Sequence, residues 1–268
     1  MPRSGAHAGT DGLRPDVLNR ELVRPGGLWR DIRVVASTGS TNTDLIAAAR
    51  SGAAEGLVLV AEEQTGGRGR LGRQWVSPPG ASLTFSVLLR PAAVPPSRRA
   101  WAPLLTGVAV AAALRAETAV QAQLKWPNDV LAGEAKLAGI LAESRADAIV
   151  VGVGLNVSAS RADLAVPTAT SLLAAGASVL DRGRLLGALL AELERRYTDW
   201  VTDPAAEASL HAEYTAMCVT LGKRIRVELP DGSAIRGLAT GVDRLGRLEV
   251  TADGGVVAVS AGDVVHVR

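Results

Sequence analysis

Cysteine and histidine are scarce in this sequence of 268 residues, which contains one cysteine and three histidines. A single cysteine, Cys218, excludes an internal disulfide framework and is typical of proteins in a reducing compartment. His7, His211 and His266 lie far apart, with no cysteine or acidic residue at metal-ligand spacing around them. The sequence therefore predicts neither a secreted disulfide scaffold nor a zinc protein.

Long apolar segments are absent as well. No stretch approaches the roughly 18 continuous apolar residues of a membrane-spanning helix. Residues 1–27 are rich in glycine, proline and arginine and lack the apolar core of a secretory signal. We therefore expect a loose N-terminal tail over residues 1–27, a cytoplasmic location and no membrane partner.

The charges are nearly balanced, with 29 lysines and arginines against 27 aspartates and glutamates. Only three of the cations are lysines, so arginine carries nearly all of the positive charge. Such a balance does not indicate a nucleic-acid partner. Aromatic residues make up 3% of the chain and hydrophobic residues 47%, so we expect a core built mainly from small and β-branched side chains.

Strands and helices alternate along the first part of the chain. Apolar periodicity predicts strands at 29–36, 57–61, 82–89, 123–126, 136–143 and 148–155, and helices at 43–51, 99–119 and 185–200. The links among the last three of these strands are short, which favours antiparallel pairing. We therefore predict an α+β fold, with a mixed, largely antiparallel sheet and helices in a domain over residues 28–218.

Residues 219–268 have a different pattern. Alternating apolar and polar residues are interrupted there by Pro-Asp-Gly, Leu-Gly and Asp-Gly-Gly turns. Four or five short strands fit in this length, and they predict a small β-barrel as a second domain.

The strongest local motif is GGRGRLGR, from Gly66 to Arg73. Its four glycines expose backbone N–H groups, while Arg68, Arg70 and Arg73 supply planar cations that suit phosphate or carboxylate. The motif lacks the Gly-Lys-Ser/Thr of a Walker loop, and its arginines do not suit a dinucleotide-binding turn. We expect a loop that binds an anion and stays mobile until one arrives; an RNA-binding or merely exposed arginine loop is the alternative.

Three further segments place polar groups at the ends of predicted strands. They are KWPND at 125–129, KLAGILAE at 136–143 and GVGLN at 152–156. Taken alone, the first is a strand-to-turn link whose asparagine and aspartate satisfy their own backbone. Glycines in the third allow either close packing or the approach of a ligand. Two of the three lysines fall within twelve positions, which suggests a site that needs a compact positive charge.

Taken together and in order, the motifs STN, EEQTGGRGRLGRQW, KWPNDV, KLAGILAE and GVGLNV resemble those of biotin protein ligases. The resemblance extends from Trp29 to Arg268 and is to the monofunctional type. Agreement of five motifs in one order is far more specific than agreement of any one. It implies a class II synthetase-like catalytic domain followed by an SH3-like barrel.

The resemblance also implies roles for individual residues. The implied biotin-binding residues are Ser40, Thr41, Asn42, Gln64, Arg68, Gly69, Arg70 and Lys136. The implied ATP- and adenylate-binding residues are Arg68, Arg70, Arg73, Trp75, Lys125, Asn128, Lys136 and Asn156. Lys136 and Arg70 are expected to act in catalysis, and Asp129 to orient or deprotonate the amine of the acceptor lysine. No metal ligand is assigned.

The implied activity is the ATP-dependent formation of biotinyl-5′-AMP, assisted by Mg²⁺, and transfer of biotin to a lysine of a carrier protein. The expected acceptor is the biotin carboxyl carrier domain of an acyl-CoA carboxylase, and a homodimer is possible for the family. Attack of a carboxylate on a phosphorus needs no protein nucleophile, so cations and backbone amides suffice. The sequence accordingly contains no nucleophile–base motif.

Two departures from the family pattern are visible. The residues ahead of Trp29 are too few for the DNA-binding domain of repressor-type relatives, so we expect no DNA partner. The stretch from Asn156 to Gly176 contains no aromatic residue that would cover the adenine. Two alternatives remain open: lipoate protein ligase, whose family shares the fold but not these loop motifs, and a non-enzymatic nucleic-acid-binding module.

Overall fold

The computed structural model describes residues 13–164 and 166–267. Its helices are α1 (Pro15–Leu22), α2 (Thr41–Arg50), α3 (Trp101–Thr118), α4 (Arg182–Thr202) and α5 (Ala206–Met217). Its strands are β1 (Asp31–Thr38), β2 (Leu57–Gln64), β3 (Ser82–Leu89), β4 (Ala122–Lys125), β5 (Asp129–Ala132), β6 (Ala135–Arg145), β7 (Ala148–Asn156), β8 (Arg224–Glu228), β9 (Ala234–Val242), β10 (Leu248–Ala252), β11 (Gly255–Val259) and β12 (Asp263–His266).

The first seven strands form one sheet in the order β1-β2-β3-β7-β6-β5-β4. Strands β1 and β2 are parallel, while every other neighbouring pair in this sheet is antiparallel. The prediction of a mixed, largely antiparallel sheet with helices is therefore confirmed. Strand β7 lies in the middle of this sheet, between β3 and β6.

The predicted helices at 99–119 and 185–200 are observed as α3 and α4. Helix α3 is apolar around most of its circumference because it lies between the sheet and α4, with contacts to both. Gly107 makes close packing possible, since a Cβ atom there would lie 3.3 Å from Leu124 and 3.5 Å from Ile140. Helix α4 instead buries one leucine-rich stripe, as its amphipathic pattern predicts.

The predicted loose tail over residues 1–27 is wrong for the part that the structure describes, while residues 1–12 lie outside it. Helix α1 begins with Pro15 in its first turn, where a missing N–H costs nothing. Leu18 is buried in the core. The Asn19 side chain donates to the Ile32 carbonyl at 2.7 Å and accepts from the Ile32 N–H at 3.0 Å. These tertiary contacts order a segment whose composition resembles that of a tail.

Strand β5 was not predicted, because the Pro-Asn-Asp sequence before it indicates a turn. The turn is only three residues long, from Trp126 to Asn128, and the chain continues at once into a hairpin in which Lys125 pairs with Asp129. This hairpin brings Asp129 next to Gly139 of β6. The KWPND segment is therefore part of the sheet, and its polar residues lie over β6.

The last five strands form a second, antiparallel sheet in the order β11-β10-β9-β8-β12. Two buried tryptophans outside the first sheet contact this second sheet: the indole N–H of Trp126, in the turn between β4 and β5, donates to the Gly246 carbonyl at 3.1 Å, and the indole N–H of Trp101, at the start of α3, donates to the Arg244 carbonyl at 3.0 Å. The predicted β-domain at the end of the chain is confirmed, whereas the boundary at 218/219 stays a prediction. No helix in the described part of the chain is long and apolar enough to cross a bilayer.

Candidate active site

A cavity of about 550 Å³ lies on the face of the large sheet around β6 and β7, under the GGRGRLGR loop. Residues from β4, β5 and β12 complete its wall. All fourteen residues that the sequence singled out line it: Ser40, Thr41, Asn42, Gln64, Arg68, Gly69, Arg70, Arg73, Trp75, Lys125, Asn128, Asp129, Lys136 and Asn156. They come from segments more than 100 positions apart, and the sheet order brings them together.

One end of the cavity contains a continuous hydrogen-bond network. The Gln64 side-chain carbonyl accepts from the Thr41 backbone N–H at 2.8 Å and lies 3.0 Å from the Thr41 hydroxyl. That hydroxyl lies 2.7 Å from the Ser86 hydroxyl, which donates to the Asn42 side-chain carbonyl at 2.6 Å. Because its carbonyl is held by Thr41, the Gln64 amide is fixed in one orientation. Ser86 was missed from the sequence, where it is one polar residue in an apolar strand.

The side-chain amide of Asn42 donates its hydrogen bonds to other groups of the protein. Its Nδ2 donates to the Leu141 carbonyl at 3.2 Å and to Glu143 Oε2 at 3.0 Å. A Cβ atom on Gly152 would lie 2.2 Å from Asn42 Oδ1, so only glycine fits at that position of β7. Asn42 therefore holds the network in place, whereas Thr41 and Gln64 are the members with polar groups left for a ligand.

In the middle of the cavity, glycines let large side chains lie flat on the sheet. A Cβ atom on Gly154 would approach the Trp75 indole to 2.3 Å. A Cβ atom on Gly139 would lie 3.2 Å from both the Trp75 ring and Lys136 Nζ. The Trp75 indole N–H is buried without a hydrogen-bond partner. The glycines of GVGLN therefore allow close packing, one of the two explanations that the sequence left open, and Gly139 of KLAG lies in a similarly tight contact.

The other end of the cavity concentrates charge. Lys136 Nζ lies 2.6 Å from Asp129 Oδ1. Burial lowers the pKa of the Lys125 ammonium, and Lys136 and Arg73 lower it further, while Asp129 opposes the shift. Burial likewise lowers the pKa of the Arg70 guanidinium, against the opposing effect of Asp129. Lys125, Lys136 and Arg70 thus crowd around the Asp129 carboxylate. An incoming anion would lower the repulsion among these positive charges.

The GGRGRLGR loop is folded back on itself as a tight hairpin. The Gly69 N–H donates to the Arg73 carbonyl at 2.7 Å, and the Trp75 N–H donates to the Gly67 carbonyl at 2.9 Å. Gly67 has no room for a side chain, because a Cβ atom would lie 2.3 Å from the Trp75 carbonyl oxygen. The glycines of the motif therefore shape the loop as well as expose its amides.

The side chains of Asn128 and Asn156 are also held by backbone groups. Asn156 Nδ2 donates to the Thr170 carbonyl at 2.9 Å, and Asn128 Nδ2 donates to the Ile140 carbonyl at 3.1 Å. The segment after β7 returns to the cavity, where the Lys136 N–H donates to the Thr168 carbonyl at 2.8 Å. Its cavity-lining residues include Leu164 and Val166. The cavity wall formed by this segment therefore includes the aliphatic side chains of Leu164 and Val166.

The cavity contains a carboxylate, that of Asp129, which fits a divalent cation bound together with a nucleotide. Mg²⁺ is usually held by one or two carboxylates together with substrate phosphates and water. Asp129 lines the cavity beside the cationic cluster and can supply one such carboxylate. Within residues 13–164 and 166–267, no group of three or more histidine, cysteine, aspartate or glutamate side chains could hold a metal ion by itself. The metal would therefore depend on the phosphates for most of its ligands.

Comparison with known proteins gives one consistent result. Residues 34–158 match the Biotin/lipoate A/B protein ligase family, and residues 220–267 match the Biotin protein ligase C terminal domain. The biotin–[acetyl-CoA-carboxylase] ligase of Mycobacterium tuberculosis is 47% identical over 266 residues, which cover 96% of this chain and 98% of the relative. The bifunctional ligase/repressor BirA of Bacillus subtilis is 31% identical over 94% of this chain and 76% of its own length.

The fold gives the same answer. The biotin protein ligase of Aquifex aeolicus, solved in complex with biotin and ATP, superposes with a TM-score of 0.75 at 26% identity. The superposition covers 90% of this chain and 100% of that one. The cavity, the ordered motifs and the near full-length likeness agree: this chain belongs to the biotin protein ligase family.

Proposed function

We propose that this chain activates biotin with ATP to form biotinyl-5′-AMP and then transfers biotin to a lysine of a biotin carboxyl carrier domain of an acyl-CoA carboxylase. The observation that carries the proposal is the single cavity with a neutral hydrogen-bonding end and a cationic end. Biotin has the same two ends, an uncharged ring system and a carboxylate. The M. tuberculosis relative is named as a ligase that acts on acetyl-CoA carboxylase, which supports this acceptor.

The neutral end is proposed to bind the rings of biotin. Thr41 and Gln64 supply hydrogen-bonding groups there, and Ser40 lies beside them in the wall. Asn42 and Ser86 hold these groups in position through the network described above. A small number of fixed polar groups in an apolar pocket is the usual basis of specificity for an uncharged ligand.

The cationic end is proposed to carry out the first half-reaction. A carboxylate oxygen of biotin attacks the α-phosphorus of ATP, and the bond from that phosphorus to the β-phosphate oxygen breaks, so pyrophosphate leaves. Lys136 and Arg70 are proposed to hold the two anions together and to offset the charge that develops between them. Arg68, Arg73 and Lys125 extend this positive field along the wall. Mg²⁺, with Asp129 among its candidate ligands, would neutralise phosphate charge.

In the second half-reaction, the amine of the acceptor lysine attacks the carbonyl carbon of the mixed anhydride, and AMP leaves with the bonding electrons. The amine loses a proton in this step. Asp129 is proposed to orient that amine or to accept its proton, since it is a carboxylate beside Lys136 at the edge of the cavity. Asn128, Asn156 and Trp75 are proposed to line the nucleotide half of the site.

Further properties of the chain follow as proposals. Strand β1 is one edge of the large sheet, and an edge strand can support a homodimer. A formal charge of only +2 favours a protein without a DNA partner. A cytoplasmic location suits an enzyme that needs ATP and a carboxylase subunit.

Pyrophosphate exchange tests the activity and separates biotin from lipoate. With Mg²⁺ present, we expect biotin-dependent exchange of labelled pyrophosphate into ATP, and biotinyl-5′-AMP detectable by mass spectrometry. Lipoate should support exchange at least about a hundredfold less well, because its dithiolane ring offers no partner to the amide of Gln64 and leaves buried polar groups unpaired. Equal exchange with lipoate would move the assignment to lipoate ligases, and folded protein without exchange for either acid would contradict the proposal.

Replacing Arg70 with glycine should loosen the loop over the cavity. Arg70 Nη1 donates to Asn128 Oδ1 at 3.1 Å and to the Gly262 carbonyl at 3.3 Å. Arg70→Gly removes both contacts and adds backbone freedom. The variant should still make the adenylate but release it early, and labelling of lysines on an unrelated protein such as serum albumin measures that release.

A matched control is Arg161→Gly, because Arg161 is an exposed loop arginine that is not among the residues lining the cavity. It should label bystander lysines no more than the unaltered protein. If Arg70→Gly retains the adenylate as well as this control does, the loop does not enclose the intermediate.

A further inference from the structure

The GGRGRLGR loop contacts the second sheet, across about 190 positions of sequence. Arg73 forms an ion pair with Asp263, the first residue of β12. Arg70 donates to the carbonyl of Gly262 at 3.3 Å and lies 3.9 Å from Asp263 Oδ1. Both of these arginines therefore contact the Asp263 carboxylate, and Arg70 also contacts the carbonyl before it. None of the motifs that identified the site includes Gly262 or Asp263.

The segment that contacts the loop is itself held rigidly. A Cβ atom on Gly262 would lie 2.6 Å from Val227 Cγ1 and 2.9 Å from the Glu228 carbonyl oxygen, so this glycine packs directly on β8. Asp263 continues the contact by pairing with Glu228 in the antiparallel ladder. The Asp263 side chain is 20% exposed. The carboxylate is thus presented from a fixed backbone rather than from a free turn.

The contact with Asp263 offsets the positive charge of the loop. Three arginines within six residues repel one another, and from sequence we expect the loop to stay mobile until an anion binds. In the unliganded chain, Asp263 is the anion. Arg70 is half-buried, with 20% of its side chain exposed, so its contact is screened less than the pair made by Arg73, whose side chain is 65% exposed. Arg73 makes the shorter contact with Asp263, whereas that of Arg70 is longer but better shielded from water, so both arginines should contribute.

We propose that Asp263 is a positioning residue that holds the GGRGRLGR loop closed over the cavity, so that the C-terminal sheet sets how long the adenylate is retained. Although Asp263 lines the cavity, its carboxylate is assigned a role through Arg70 and Arg73 rather than on a reacting atom. This inference rests on the proposed function for its kinetic part, whereas its structural part concerns the free protein and is independent of any activity.

The test replaces Asp263 with asparagine, which keeps the shape of the side chain and removes its charge. In the unliganded protein, trypsin should cut after Arg68 and Arg70 about tenfold faster than in the unaltered chain, because losing a charge-assisted contact shifts the loop toward open forms. Bound biotinyl-5′-AMP should dissociate about tenfold faster. The single-turnover rate of adenylate formation at saturating biotin and ATP should change less than either, since the reacting groups are intact.

Three further variants make the result specific. Asp263→Glu should restore most of the protection, because the charge returns. Asp253→Asn, an exposed aspartate in the turn between β10 and β11, should behave as the unaltered chain and controls for lost surface charge. In a background that carries both Arg70→Gln and Arg73→Gln, Asp263→Asn should add little to the faster dissociation, since the carboxylate acts through these two arginines. Thermal unfolding of each variant checks that the fold is intact.

The outcomes are distinguishable from one another. Unchanged cleavage and unchanged adenylate dissociation in folded Asp263→Asn would overturn the proposal. Faster adenylate formation with undiminished retention would also overturn it, because Asp263 would then compete with phosphate for the arginines instead of holding the loop. If the unaltered protein forms no adenylate, the proposed function fails, while the cleavage experiment still decides whether Asp263 holds the loop.

Discussion

Replacing Lys136 with alanine is expected to slow the formation of biotinyl-5′-AMP by about a hundredfold or more, the loss seen when one preorganised donor is removed from a developing negative charge. Lys136 lies on Gly139 with its ammonium 2.6 Å from Asp129 and within the electrostatic reach of Lys125. Its side chain also packs close to the Trp75 ring, since both lie 3.2 Å from the position of a Cβ atom on Gly139. A point charge fixed there serves both the carboxylate and the α-phosphate.

The measurement is the single-turnover rate of adenylate formation at saturating biotin and ATP. Lys136→Arg is the informative companion, because it keeps the charge but places it at a different distance and in a planar group, so it should restore only part of the rate. Lys136 is 30% exposed on the side chain, and the fold should survive its removal. A rate within threefold of the unaltered protein would show that Lys136 only marks the edge of the site.

Placing a methyl group on Gly154 should be nearly as damaging, although no charge is lost. The added Cβ atom would lie 2.3 Å from the Trp75 indole, far inside van der Waals contact. Trp75 and the loop that precedes it must therefore move by about an ångström, and a shift of that size in a positioning group can cost about a hundredfold in rate. Gly154→Ala should thus reduce adenylate formation by about a hundredfold and weaken biotin binding.

Gly187→Ala is the matched control, since a Cβ atom there meets nothing within 4 Å and the residue lies inside helix α4. It should leave activity unchanged and raise stability by about 0.5–1 kcal/mol, as alanine does in place of glycine in a helix. Calorimetry and titration with biotin separate a misplaced loop from an unfolded chain. Normal biotin affinity in Gly154→Ala would show that the Trp75 position is not needed for binding.

Composition alone singled out only the site residues whose chemistry is unusual for their local context, whereas others, such as Ser40 and Gln64, were assigned through the family resemblance. Three arginines among four glycines, and lysines in an arginine-dominated chain, are conspicuous without any structure. The glycines of GVGLN were recognised as sites of close approach, but the sequence could not say whether a ligand or a side chain approaches. The structure shows Asn42 over Gly152 and Trp75 over Gly154.

By itself, the sequence determined the elements with strong periodicity or long apolar runs, namely α3, α4, β3 and the C-terminal strands. The spacing of apolar residues along these segments shows which side chains are buried. Tertiary structure alone decided α1 and β5, because an eight-residue helix and a four-residue strand are not stable by themselves and are ordered by contacts with Ile32 and with β6. It also decided the roles of Ser86 and Asp263. A serine in an apolar strand and an aspartate after a glycine have no local signal, since their partners lie tens to nearly two hundred positions away and meet them only when the sheets pack.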